Sequence, residues 1–237
     1  MHLLRLSLLI SSLILTGCST LHLSAYTLEK DPFEPLNRKV YVLNDTVDQA
    51  ILKPVAQGYA RVMPGPAKTM VNNFFSNLDD VVVTANDLLQ LKLIQAASDG
   101  SRVIFNTTFG VFGLLNVTKR LEKHNEDFGQ TLGYWGMGSG PYLVLPFWGP
   151  SSVRDGAGLY ADTFASVISN TQHVPTRNST WAVKSFITRV NLLDQEKVLD
   201  EATIDRYSFL RDAYLMHRQS LVYDGNPPRR KYDEEDE

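Results

Sequence analysis

The chain is expected to fold as one mainly α-helical domain of amphipathic helices, interrupted by a Gly/Pro-rich irregular segment. Three observations point there. Apolar residues recur at steps of three and four through most of residues 31–223. Prolines stand at the openings of the first such stretches, where a missing N–H costs nothing. The pattern fails only in long uncharged windows, of which Phe128 to Val153 is 26 residues with six glycines and three prolines.

The first element is a signal. Arg5 precedes a mostly apolar run, Leu6 to Leu15, and Thr16 and Gly17 then lead to Cys18. That run is too short to span a bilayer as a structural helix, and it has the form of a bacterial lipobox. Residues 1–17 are therefore expected to be removed, with Cys18 the new amino terminus and carrier of covalent lipid, and residues 18–30 a tether. The alternative is an ordinary secretory signal in which Cys18 is only a small apolar residue. Cys18 is the one cysteine, so no intrachain disulfide can form and the thiol is free for lipid. Two or more hydrocarbon chains anchor stably, at about 0.8 kcal/mol per buried methylene. Lipoproteins that this pattern resembles are retained at the inner membrane when Asp follows the cysteine; Ser19 stands here, pointing to the outer membrane.

Residues 31–34, Asp-Pro-Phe-Glu, read as a helix start with Asp31 as cap and Glu34 closing a capping box. Leu36, Val40, Leu43, Val47 and Ile51 then make one apolar stripe, expected to end before Pro54. Pro64 and Pro66 open a second helix with Met70, Val71, Phe74, Phe75 and Leu78 on one face. From Asp79 to Asn106 breakers are nearly absent, which predicts two helices joined near 87–92 or one bent helix. Gly110 and Gly113 suit either a close helix approach or a turn. Val103 to Thr118 is a second uncharged window, of 16 residues.

The longer window cannot be a regular spanning helix. Its Tyr134, Trp135, Tyr142, Phe147 and Trp148 suit a membrane interface, and a buried glycine-rich turn region fits equally. Tyr142 to Pro146 is read as a short strand or extended segment, with any sheet confined to an edge by Pro141, Pro146 and Pro150. Further helices are expected at about 154–168, 178–193 and 205–223, separated by 171–175 and 194–205. From residue 224 the sequence is dense in charge and reads as a disordered tail.

Removing residues 1–17, which hold one arginine, takes the formal charge from −3 to −4, so no basic footprint for nucleic acid is present. No nucleophile elbow surrounds Ser139, because Met137 and Pro141 occupy the glycine positions. His124, His173 and His217 lie apart and read as surface or turn residues, so no metal site and no cofactor is expected beyond the lipid on Cys18.

Five ordered motifs carry a resemblance. Asp31-Pro32-x-Glu34-x-x-Asn37-Arg38 comes first, then Asn72-x-Phe74-x-x-Asn77-Leu78, then Asp127-Phe128-Gly129-Gln130-Thr131-Leu132-Gly133. Gly140-Pro141-Tyr142-x-x-Leu145-Pro146-x-x-Gly149-Pro150-Ser151-x-x-Arg154-Asp155 and Arg189-x-x-Leu192-Leu193-Asp194 follow. Together they resemble the MlaA/VacJ family of outer-membrane lipoproteins across about residues 31–220. Leu91 departs from the pattern at a position where glycine is usual, as do Leu43 and Asn116 where phenylalanine and aspartate are common.

The resemblance implies a helical ring in the inner leaflet of the outer membrane, around a polar passage for phospholipid headgroups. It implies removal of phospholipids misplaced in the outer leaflet, delivery to a soluble periplasmic carrier, and trimeric porins as partners. No bond changes in that activity. On this reading Arg154, Lys184, Arg189 and Arg206 are candidates for attracting phosphate, since they lie on expected helices beside apolar stretches. Gly133, Gly136, Gly138 and Gly140 are candidates for a loop near the passage, or for a structural turn. A porin scaffold without transfer activity and a phospholipase are the rival readings.

Overall fold

The computed structural model describes residues 31–202 and 205–228, with side chains omitted for 197–202. Cys18, the signal, the tether and the sequence beyond 228 lie outside the described residues. Helix α1 (Glu34–Val47) passes through a π-turn, Asp48–Leu52, directly into α2 (Lys53–Val62), so the expected break before Pro54 is absent. Pro54 has no N–H to offer the carbonyl four residues back and its ring crowds that carbonyl. A wider π-turn immediately before it takes up the misfit without ending the helix. The start also differs from the expected capping box: Phe33 is the cap residue, without a side-chain bond. Asp31 instead accepts from the Asn37 amide and the Tyr207 hydroxyl, while Glu34 pairs with Arg38. Tertiary partners outcompete the local ones.

Helices α3 (Gly65–Leu89) and α4 (Leu93–Phe109) form a hairpin closed by Gln90, Leu91 and Lys92. Their antiparallel register is set by contacts whose residue numbers rise on one helix as they fall on the other. Asn77 donates to Thr107 at 2.9 Å, Asp80 meets Arg102 at 3.2 Å, and Gly100 sits where a Cβ would lie 3.4 Å from Thr84. The two-helix alternative for 79–106 is thus the one realised. After α4 the chain reverses over Gly110–Gly113, and a Cβ on Gly113 would lie 2.8 Å from the Asn77 side chain. This segment is a turn and a close approach at once.

Helix α5 (Phe128–Tyr134) is capped by Asp127, whose carboxylate accepts from the Gln130 N–H at 2.8 Å. Strands β1 (Tyr142–Leu145) and β2 (Gly149–Ser152) pair antiparallel, Tyr142 opposite Ser152 and Leu145 opposite Gly149. The outer edge of β1 meets α1. Asn37 donates to the Tyr142 carbonyl at 3.0 Å and accepts from the Val144 N–H at 2.9 Å. Asn44, two helical turns on, does the same for Leu145 and Phe147 at 3.0 and 2.8 Å. Two side-chain amides thus satisfy the strand edge where a third strand would otherwise be needed.

Helix α6 (Val153–Ala165) is capped by Ser152, and α8 (Arg206–Val222) by Asp205. Helix α7 (Val174–Ala202) runs well past the expected end near 193, because no glycine or proline follows Pro175 before its last residue. Asp224, the first residue of the expected tail, accepts from Lys92 at 2.6 Å. In three dimensions α5 crosses α6, α2 lies along α7, and α8 covers α5 and β2. Where α5 and α6 cross, a Cβ on Gly158 would lie 2.3 Å from the Gly129 nitrogen, so the backbones touch. Among the described residues no helix is long and apolar enough to cross a membrane.

Candidate functional site: a polar interior inside an apolar surface

The buried apolar clusters are small. One gathers Phe75, Ile168 and Ile187, and another Tyr142, Val144 and Tyr207. Apart from Tyr142, the largest fully buried side chains are Gln90, Asn37, Asn86, Thr131, Asp80, Asp87, Asp99 and Ser152, all polar. The surface is the reverse. Leu36, Leu43 and Ile51 of the apolar stripe are exposed while Asn37 beside them is buried, so most of the stripe faces outward, although Val40 packs against Tyr142, Val144 and Tyr207. Ile94, Phe112, Phe147 and Trp148 are 88, 75, 73 and 67% exposed. Tyr134 and Trp135 of the uncharged window are also exposed, while Tyr142 is buried. A water-soluble fold buries such groups and seldom carries so large an apolar surface.

Inside, hydrogen bonds run from the α3–α4 hairpin turn through α5 and α3 to α6. Lys92 donates to Glu126 at 2.9 Å, and Gln90 to Glu126 and Thr131 at 2.8 and 3.1 Å. The Thr131 hydroxyl donates to Asn86 at 2.8 Å, and Asn86 to Asp162 at 2.9 Å. Beside this chain, Asp80 accepts Arg102 at 3.2 Å and Lys123 at 2.8 Å. Asp99 meets His124, part-buried in the loop before α5, at 2.6 Å. The spacing of these groups on α3 and α4, Asn77, Asp80, Thr84 and Asp87, then Asp99, Arg102 and Asn106, is a helical period of polar residues.

Asp87 is fully buried and neither carboxyl oxygen has a partner among the described residues. Burial, with the charges of Asp99 and Glu126, pushes its carboxyl up to about 7. Burial likewise lifts Asp162 to about 6, against the donors Asn86 and Phe128 N–H. Two further clusters close the interior. Burial would raise Asp127 and Asp155, but the Arg218 guanidinium between them, at 2.5 and 2.9 Å, holds both below the usual range. Burial would raise Glu196 too, yet Arg189, Lys53 and Arg206 together bring it to about 2.

The four candidate cations are all paired. Arg154 is buried against Asp155 at 2.9 Å, and Lys184 pairs with Asp79 and stands 5.3 Å from the Trp181 ring centre. Arg189 holds Asp48 and Glu196, both at 2.5 Å. Arg206 reaches Glu196 at 3.1 Å. Arg189 and Arg206 therefore converge, while Arg154 and Lys184 stand elsewhere. Gly133 packs against Arg154 and Val222, whereas Gly136 and Gly138 border open space. Gly136 and Gly140 adopt φ of 93° and 65°, which favour glycine. Among the described residues no group of three His, Cys, Asp or Glu side chains is placed to hold a metal.

The family model described as MlaA lipoprotein matches residues 29–221. The intermembrane phospholipid transport system lipoprotein MlaA of Escherichia coli (strain K12) is 33% identical over 231 residues, covering 94% of this chain and 90% of that protein. Its namesake from Haemophilus influenzae is 30% identical, covering 93% and 90%. A chain solved for the structural basis for maintenance of bacterial outer membrane lipid asymmetry superposes with a TM-score of 0.70 at 32% identity, covering 81% of this chain and 98% of that one.

Proposed function

We propose, for a chain that belongs to the MlaA lipoprotein family, that it is the outer-membrane lipoprotein of an intermembrane phospholipid transport system and serves outer-membrane lipid asymmetry. The observation that carries this reading is the inverted polarity. A phospholipid headgroup entering hydrocarbon loses its water, and even a neutral hydrogen-bonding group pays about 2–7 kcal/mol when unpartnered. A body with amides, carboxylates and guanidinia inside and apolar side chains outside lets the headgroup keep polar partners while its acyl chains stay in an apolar medium.

In the finer reading, the helices form a ring-like body in the inner leaflet, facing the periplasm and anchored by the lipid on Cys18. Phospholipid misplaced in the outer leaflet enters, and a soluble periplasmic phospholipid carrier receives it. A trimeric porin is the membrane neighbour. No covalent step, metal or cofactor is assigned to the chain. Of the four candidate cations, Lys184 and Arg206 have side chains 23 and 30% exposed, against 14% for Arg189 and 7% for Arg154. They are the two able to leave a carboxylate for a phosphate. Gly136 and Gly138, with open space where a Cβ would stand, suit a loop beside the passage.

The test is surface-exposed phospholipid in the outer leaflet of cells lacking the gene, complemented with the intact protein or Cys18→Ala. Accumulation reversed by the intact protein alone is expected. Unchanged surface phospholipid, in cells with no compensating system, sinks the transport reading and leaves a porin scaffold.

A further inference from the structure

Val103 to Thr118, the second uncharged window, ends directly on Lys119 and Arg120. The structure gives this juxtaposition a shape. A surface cavity of about 530 Å³ opens beside the end of α4, its lining combining apolar Phe105, Val117 and Leu121 with Asn116, Thr118 and the cations Lys119 and Arg120. Both cations are exposed, and neither has an ion-pair or hydrogen-bond partner among the described residues. The four cations considered above all have partners, so this pair is different in kind. Around the cavity, Phe109 and Phe112 are exposed. Val111 and Phe112 are held at φ of 55° and 56°, a costly backbone for bulky residues, by bonds such as Gly113 N–H to the Asn106 carbonyl at 2.9 Å. The strained turn aims its side chains away from the protein.

Apolar walls beside two uncompensated positive charges match a molecule with a negative headgroup and a hydrocarbon chain. We propose that residues 103–121 form a seat for an anionic phospholipid of the surrounding leaflet, separate from the polar interior. Lys119 and Arg120 hold the headgroup phosphate by charge-assisted hydrogen bonds. Phe105, Val117 and Leu121 receive the first methylenes of an acyl chain. The seat rests on the reading above only in requiring that this face meet lipid. Its consequence is a preference: a resident lipid at the rim is selected by charge before any lipid enters the interior.

The experiment uses the full-length acylated protein in phosphatidylcholine nanodiscs doped with photoreactive phosphatidylglycerol or photoreactive phosphatidylcholine, each carrying its reactive group near the glycerol. Labelled positions are mapped by mass spectrometry. Labelling of 103–121 by phosphatidylglycerol is expected to exceed that by phosphatidylcholine roughly ten- to thirty-fold, from two cations near an anionic group. Lys119→Gln/Arg120→Gln is expected to abolish the preference, and Lys119→Arg/Arg120→Lys to keep it, both with unchanged helical circular dichroism. Equal labelling by the two lipids, or a preference that survives the glutamine pair, overturns the seat. So does loss of the preference in inorganic phosphate but not in sodium chloride of the same ionic strength, which would make this an ion site. Labelling confined to α1 and the β-hairpin tip overturns the seat and leaves the transport reading standing; no labelling on any apolar face overturns both.

Discussion

Replacing Asp87 with asparagine is expected to remove a pH-dependent weakness from the interior. The residue has no exposure and no hydrogen-bond partner among the described residues for either oxygen. Its carboxyl stands at about 7 against an ordinary 3.8. The native state therefore binds the proton more tightly than the unfolded chain, and stability falls as pH rises from about 4 to about 7, then levels. At about 1.4 kcal/mol per pH unit, the shift from 3.8 to about 7 corresponds to about 4 kcal/mol; relaxation of the interior around the buried anion brings the expected figure to about 2 kcal/mol. Asparagine keeps the shape and cannot ionise. In urea unfolding of the detergent-solubilised full-length protein, followed by circular dichroism, Asp87→Asn and wild type are expected to be similar at about pH 4. At pH 8 the variant is expected to be about 2 kcal/mol more stable. Wild type retains some slope from Asp162, so the difference between the two curves is the readout. Parallel curves from pH 5 to 8 would show that Asp87 is solvated or paired as an anion, and the argument from burial would be wrong.

Glu196 has the opposite sign: its value of about 2 lies below the ordinary 4.5, so its contribution is present above pH 4.5 and lost as pH falls toward 2. Glu196→Gln leaves Arg189, Lys53 and Arg206 without their shared carboxylate and is expected to cost about 3 kcal/mol at pH 7, with the gap to wild type narrowing on acid titration. Leu91→Gly relieves a φ of 60° at the hairpin turn and should stabilise by about 1 kcal/mol in the same urea assay; a loss would mean that the leucine side chain makes contacts worth more than the strain. Gly158→Ala forces a methyl group into the Gly129 backbone and should destabilise by about 3 kcal/mol or abolish folding, whereas Gly138→Ala, with nothing within 4 Å, should change stability little.

Much of the helical order was legible because periodicity and breakers act locally. Pro66 opens α3 as its position implies, the junction expected near residues 87–92 falls at Gln90, Leu91 and Lys92, and the strand at Tyr142 falls within the segment read as strand or extended chain. The failures came where a distant partner decided. Asp31 has every local attribute of a cap, but Asn37 and Tyr207 hold it, and neither bond is visible from the neighbouring sequence. The helix through Pro54 survives because a π-turn absorbs the lost bond, an accommodation that no period of 3.6 announces. The candidate cations were chosen for their charge and apolar neighbours; sequence does not say that Asp79, Asp48, Glu196 and Asp155 stand opposite them.

The direction of the interior was implied by the family resemblance and not by the periodicity. A repeat at steps of three and four says that a helix has two unlike faces, and the solvent determines which face turns in. With water outside, Leu36, Leu43 and Ile51 would belong in the core; with hydrocarbon outside, the same stripe belongs on the surface. The discriminating signal was in the polar residues. Solvated faces favour Lys and Glu, whereas the polar stripes of α3 and α4 consist of Asn, Asp, Thr and Arg at helical spacing, short or planar groups suited to mutual hydrogen bonding. Asp80 with Arg102, Asn77 with Thr107 and Asn86 with Asp162 are the matches that result. Such a stripe flanked by uncharged aromatic windows marks the polar face as the inward one, where its groups find one another as hydrogen-bond partners and the apolar face is left to the surroundings.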